Sequence, residues 1–358
     1  MKKILLTTLI TCALFAEAEP IKLSDKEIAT WNIQTQKAVQ SDEVPLGNFL
    51  IEVTTPPTMV HTVSLPFKAQ VVSLDVARYQ KVKKGDLLAK VTGTEWIEAQ
   101  QKAISDAIEL THHTHTYERK KKLCKEQIIP KKECIAALAE LKTDRIKVSA
   151  SKALLRSYGA SESIIDDLFK KFKIHRNIPI TAPTSGTITV MNASPGESSD
   201  PATALFVIQK SGDLWIESDL PNDKTVMLKE GESVELNIND RLYKSQVLQI
   251  APVLNAQNQT RHVRFALKAG SKLLPGMRTN ATVILKTKSY KVPKKAVIKI
   301  GGKERVFVKN AQGFLPVVVE ILGEDRKEYY LKPSSRLDAP VVVTAVAILK
   351  NMTGESDE

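Results

Sequence analysis

Apolar and polar residues alternate with a period of two in several short stretches of this chain, and each such stretch predicts a half-buried strand. Val72, Leu74 and Val76 alternate with Ser73, Asp75 and Ala77, and Ile188 and Val190 alternate with Thr187 and Thr189. These stretches lie in two similar segments, residues 65–91 and 180–209. Each segment runs from a proline through an alternating strand to a turn and then a closing apolar strand. Gly85-Asp86 and Pro195-Gly196 supply the turn chemistry. The two segments therefore predict halves of one small β-domain that an insert divides.

The insert has a different pattern. From Thr94 to about Tyr158 the residues are helix formers, with no glycine and a single proline, Pro130, near the middle. Two antiparallel helices follow, each of about 28 residues and so about 42 Å long at the helical rise. Ile97, Ile104 and Ile108, then Ile135, Leu138 and Leu141, give an apolar seam at heptad-like spacing, with Thr111, His115 and Arg145 falling near it. A hairpin so interrupted is marginal alone and calls for neighbouring copies or a partner. Gly159 ends the second helix, and residues 161–172 predict one more short helix.

Beyond residue 209 the pattern returns to strands. Val234, Leu236 and Ile238 alternate with Glu235, Asn237 and Asn239, and residues 247–250, 263–267 and 281–285 are further strands. Gly231, Asn255 and Pro275-Gly276 punctuate them, which predicts a small β-barrel. A last strand-rich module covers residues 292–349. At the other end, residues 21–44 form a preface in which Ser24 and Glu27 fit a capping box. Strands near residues 47–53 and 59–63 follow, separated by Pro56-Pro57.

Composition changes the picture in three places. Residues 1–18 read as a secretory signal, with Lys2-Lys3, an apolar stretch from Ile4 to Phe15 and the small-x-small site Ala16-Glu17-Ala18. Cys12 follows Leu9-Ile10-Thr11, where Thr is too large for a good lipidation signal. No later segment reaches the roughly 18 apolar residues that a membrane span needs, so the mature chain is expected to be soluble and exported. The net charge of +12 favours acidic protein faces and anionic lipid headgroups. Export, and an aromatic content of only 5%, argue against nucleic acid.

The order of these parts resembles the periplasmic adaptor, or membrane-fusion, proteins of Gram-negative tripartite efflux pumps of the resistance-nodulation-division (RND) type. The resemblance rests on the half-motifs at residues 82–88, VKKGDLL, and 180–186, ITAPTSG. It rests also on LWIE at 214–217, LPGM at 274–277 and VPKKAV at 292–297. The opening LSDKEI at 23–28 with IQT at 33–35 resembles the heavy-metal-efflux branch more than the drug branch. The implied fold is multi-domain and mainly β with an α-helical hairpin. It divides into a signal peptide (1–18) and an N-terminal segment shared by the membrane-proximal and barrel domains (19–63). A lipoyl-like domain (64–92 plus 179–209), the hairpin with its connecting helix (93–178), a β-barrel (210–289) and a membrane-proximal domain with tail (290–358) follow.

The implied role is to link an inner-membrane proton-driven transporter to an outer-membrane duct for efflux of heavy-metal cations. It includes self-association into a ring, peripheral contact with the inner membrane, periplasmic location and no enzymatic step. No cofactor is expected beyond a transiently bound heavy-metal cation. Two other readings stay open: a free periplasmic metal-binding protein, and the adaptor of a drug or ATP-driven export system.

Lipoyl-like domains also carry prosthetic groups on a lysine at a tight turn. Lys90 lacks the flanking residues of such carriers, and the helical insert stands where the turn would be. Within the insert, the resemblance implies that Arg119 and Leu123 contact the duct from the hairpin tip, together with Ile128. Pro130 stands where the family has a serine, which puts that part of the contact in question. Cys124 and Cys134 flank the tip and could face each other across antiparallel helices in an oxidising compartment. A disulfide, two free thiols and a soft-metal pair are the alternatives. In His112-His113-Thr114-His115, His112 and His115 share a helix face and could offer nitrogen ligands to zinc, copper or nickel. His113 points elsewhere in that reading, and no carboxylate stands at a spacing that would complete the site.

Overall fold

In a computed structural model, residues 20–353 are described; the signal segment and the last residues of the tail lie outside them. The described chain forms two compact units, one of residues up to Thr54 with those from Asp213 onward, the other Thr55–Gly212.

The first unit contains a closed six-stranded antiparallel barrel. Its strands, in spatial order, are Val44–Thr54, Leu214–Pro221, Thr260–Leu267, Arg241–Ile250, Ser233–Ile238 and Arg278–Leu285. Closure removes exposed sheet edges. Val234, Leu236 and Ile238 all point inward against Phe265 and Val283, as their alternation predicts. The preface enters this unit twice. Val44–Thr54 closes the barrel between its neighbours Leu214–Pro221 and Arg278–Leu285. Thr35–Gln36 and Val39–Ser41 join two small sheets built otherwise from residues 289–342. Ahead of them, helix α1 (Asp25–Thr30) carries the expected capping box, with Ser24 and Glu27 each satisfying the other's backbone.

The second unit is the split domain and its insert. Both halves contribute to both of its sheets. One sheet orders Ser198–Ser199, Ala69–Leu74, Leu87–Thr92 and Ile178–Thr181; the other orders Val60–Ser64, Ala204–Gln209, Gly186–Met191 and Lys81–Val82. Val60–Ser64 pairs along Ala204–Gln209, so this strand belongs to the split domain and the domain begins ahead of residue 64. The turns at Lys83–Asp86 and Ser194–Glu197 place Gly85 (φ +93°) and Gly196 (φ +86°) at their third positions, where only a residue tolerant of positive φ fits without strain. One expectation fails inside the first half. Val72 is exposed and Val71 is buried instead, because a bulge between Val71 and Ser73 reverses the strand's parity.

From this domain rise α2 (Thr94–Lys125) and α3 (Lys131–Ser157), followed by α4 (Glu162–Lys171). The first hairpin helix has 32 residues, about 48 Å. Gly159 (φ +94°) ends α3: its amide donates to the Arg156 carbonyl and that of Ala160 to Leu155. Ser161 caps α4, whose Ile164, Ile165 and Leu168 pack with Trp96, Ala103 and Leu155 into the core of the split domain.

The hairpin seam keeps heptad-like spacing and includes Leu141, but most of its residues are not the large apolar ones expected. Ala99, Ala103 and Ala107 of α2 face Ala137, Leu141, Val148 and Leu155 of α3, while Ile108 and Ile135 are 54% and 59% exposed. Small side chains let the helices approach closely, and polar side chains share the seam: Asp106, Asp144 and Ser151 are all buried.

Candidate functional site

The hairpin presents two places with distinct chemistry, its tip and its polar middle. At the tip, Gln127 adopts a left-handed conformation (φ +58°) directly after α2. Its amide donates to the Cys124 carbonyl, and the Ile128 amide donates to that of Leu123. This pair of bonds is the Schellman pattern of helix termination, built here without the usual glycine. It fixes the tip backbone, and Pro130 then opens α3 as its N-cap. The side chains expected to dock are thereby gathered: Arg119 and Pro130 are exposed, Ile128 is 63% exposed and Leu123 is half-buried. Lys120 and Glu133 form an ion pair across the helices near the same end, at 3.6 Å.

The cysteines flanking the tip are brought together as two free, partly exposed thiols. Partial desolvation and a hydrogen bond with Cys134 push the Cys124 thiol above its usual range, and Cys124 Sγ also lies 3.8 Å from the Pro130 carbonyl.

Halfway along the hairpin, one histidine of the sequence run finds a partner, and it is the one that the helix-face reading set aside. His113 Nδ1 makes a short hydrogen bond to Asp144 Oδ2 across the helix interface. Lys147 Nζ lies 3.0 Å from Glu109 Oε2 and 3.2 Å from Asp144 Oδ1. Burial alone would push the Asp144 carboxyl up, but its hydrogen bonds to His113 and Lys147 hold it below the ordinary aspartate range. The paired carboxylates in turn hold Lys147 above the usual lysine range. His112 and His115 are exposed. The partner carboxylate was invisible to spacing on one helix because it lies on the other helix, 31 residues away.

At the root of the hairpin the chain is tied to its own return path. Trp96, fully buried, donates its indole N–H to the His175 carbonyl at 2.8 Å. The buried Gln100 amide donates to the same carbonyl at 2.9 Å and accepts the His175 amide at 2.8 Å. Sequence reading had assigned neither residue a role. Lys90 lies within the strand Leu87–Thr92, paired opposite Ser73 and Pro179, and so does not stand on a turn.

This architecture is that of known proteins. Residues 213–288 match the family model described as CusB-like, beta-barrel domain. The fold is similar to a MacA–MexA chimeric protein containing the Pseudomonas aeruginosa MexA α-hairpin domain. The TM-score is 0.60 at 16% identity, over 84% of this chain and 96% of that one.

The chain is also similar in fold to MacA from Actinobacillus actinomycetemcomitans, with TM-score 0.51, 16% identity, and coverage of 87% and 99%. In sequence it is similar to the putative membrane fusion protein SilB of Salmonella typhimurium, 26% identical over 56% of this chain and 49% of the relative. It is similar too to the cobalt-zinc-cadmium resistance protein CzcB of Cupriavidus metallidurans, 24% identical over 73% and 50%. The chain thus spans about half the length of the curated relatives it matches. Among the described residues, no helix is long and apolar enough to cross a membrane.

Proposed function

We propose that this chain is a periplasmic membrane-fusion adaptor, linking an inner-membrane proton-driven RND transporter to an outer-membrane duct, and that the pump exports heavy-metal cations. The observation that carries the reading is the CusB-like barrel at residues 213–288 in the same chain as a split domain bearing a helical hairpin. The names of relatives support the cargo, since they speak of cobalt, zinc, cadmium and nickel resistance. In this reading the tip residues Arg119, Leu123 and Ile128 meet the duct, with Pro130 setting the turn. Ile108, Ile135 and Ile146 are apolar and more than half exposed on the hairpin, which supports packing against neighbouring copies in a ring.

The test is Arg119→Asp. An exposed arginine reversed in sign leaves the fold intact, so far-UV circular dichroism is expected to be unchanged. Crosslinking from a cysteine placed at Gln127 to the outer-membrane duct is expected to disappear, along with resistance to the exported cation. A variant that still crosslinks and still confers resistance refutes the docking assignment.

A further inference from the structure

Glu109 and His113 stand four residues apart on α2 and so share one face of that helix. Asp144 comes from α3, and one ligand atom from each of the three lies within 4.8 Å of the others. Asp144 is 3% exposed, so its carboxylate cannot turn to water for compensation. At present Lys147 supplies it, with one ammonium bridging Glu109 and Asp144. A cation is therefore already built into this place, held by two carboxylates with an imidazole nitrogen on the same carboxylate.

We propose that Glu109, His113 and Asp144 form a mid-hairpin site for a borderline divalent cation of the zinc, cobalt and nickel class, in which the metal replaces the Lys147 ammonium as the bridging charge. The donor set decides the class. One nitrogen with two carboxylate oxygens suits borderline ions; it lacks the sulfur that monovalent copper prefers, and the imidazole disfavours magnesium and calcium. The two carboxylates carry two negative charges, which one ammonium neutralises only by half and a divalent ion neutralises fully. Lys147 is 39% exposed and can swing its charge into solvent when displaced. His113 then presents the Nδ1 lone pair to the metal and carries its ring proton on Nε2, with the proton exchanged through water. Three protein ligands leave a fourth position to solvent.

The consequence is mechanical. A bound ion would tie α2 to α3 about 9 Å along the helix from Arg119, by the helical rise, and so stiffen the end of the hairpin that carries the docking side chains. The site rests on hairpin geometry alone and is independent of the transport reading: a failed docking test would leave the metal titration unaffected.

The experiment is a titration of the purified full chain with zinc chloride against a chromophoric chelator, with cobalt chloride followed by visible absorption. One equivalent is expected to bind. His113→Ala is expected to weaken it at least tenfold, as is Glu109→Gln, whose exposed position keeps the fold intact. Lys147→Met removes the competing charge and is expected to bind at least as tightly as the parent. The double variant of His112 and His115 to Ala is expected to bind like the parent. The proposal is overturned if the folded parent binds no zinc at micromolar concentration, or if Glu109→Gln and His113→Ala bind unchanged. Loss of binding in the His112/His115 variant alone would move the site to the exposed pair and equally overturn it.

Discussion

Replacing Gln100 by Leu is expected to loosen the root of the hairpin while leaving its packing nearly unchanged. Gln100 is fully buried, and its side chain makes hydrogen bonds to both the amide and the carbonyl of His175, 75 residues away. Leucine has a similar volume, so the cavity contribution is small. The carbonyl of His175 keeps the Trp96 indole as donor at 2.8 Å. The amide of His175 is left with no partner, and an orphaned buried donor costs about 1–3 kcal/mol. A central value of about 2 kcal/mol corresponds to a fall of about 4–8 °C in the melting temperature of a unit this size. The assay is thermal unfolding followed by far-UV circular dichroism, with amide exchange at His175 as the local readout. Gln101→Leu, the same chemical change at the exposed neighbouring position, serves as the control and is expected to stay within about 0.5 kcal/mol of the parent. If Gln100→Leu melts with the control and His175 keeps its protection, the root is not held by this clamp and the argument is wrong.

Two further outcomes test other parts of the molecule. A Cβ on Gly186 would lie 2.4 Å from the Gln209 carbonyl oxygen, so Gly186→Ala is expected to force apart the strands Gly186–Met191 and Ala204–Gln209 at a cost of about 3 kcal/mol. Gly85→Ala, with open space around it but φ +93°, is expected to cost nearer 1 kcal/mol; equal chemical-denaturation midpoints for the two would contradict this ranking. For the tip, protein isolated under oxidising conditions is expected to yield a Cys124–Cys134 linked peptide in a non-reducing map, whereas two alkylatable thiols there would rule the disulfide out.

How far the sequence could be read depended on whether each signal was local. Val234, Leu236 and Ile238 face the barrel core because a period of two needs only one strand to be visible. Gly85, Gly196, Pro130 and Gly159 mark turns and ends through their own backbone preferences, and each stands where those preferences are used. The failures share the opposite character. Val72 was misassigned because a bulge depends on the partner strand. Of the large apolar residues read as the hairpin seam, Leu141 is buried and Ile97 and Ile104 pack against the core, but Ile108 and Ile135 are exposed and Ala99, Ala103 and Ala107 line α2 instead, since close approach of two helices rewards small side chains that carry little hydrophobic signal. His113 shares no helix face with His112 and His115, so the run of histidines alone sets it aside, and its partner Asp144 is near only once the hairpin has folded. Gln100 and Trp96 were passed over because their partner is the backbone of His175, and no side-chain pattern announces a backbone acceptor.

The polar seam has a consequence for how the tip is positioned. The α2 side of the seam, Ala99, Ala103 and Ala107, is nearly featureless and would let the larger side chains of α3 slip by one helical turn at modest apolar cost. The buried polar residues do not tolerate it. Ser151 donates to Asp106 across the helices, and His113 and Lys147 satisfy Asp144. A slip would take Ser151 from Asp106 and His113 from Asp144, leaving each buried carboxylate only the lysine of its own helix, Lys102 or Lys147, and a hydrogen bond to a charged group contributes about 1.5–3 kcal/mol. Two such hydrogen bonds lost together outweigh what sliding the small side chains of the seam past one another could recover. The register of α2 against α3 is therefore set by polar contacts rather than by hydrophobic fit, as single buried polar residues set register in coiled coils. Register in turn decides where Arg119 and Leu123 on one helix stand relative to Pro130 and Cys134 on the other. The residues that look least suited to a hairpin core are thus the ones that hold its docking end in one arrangement.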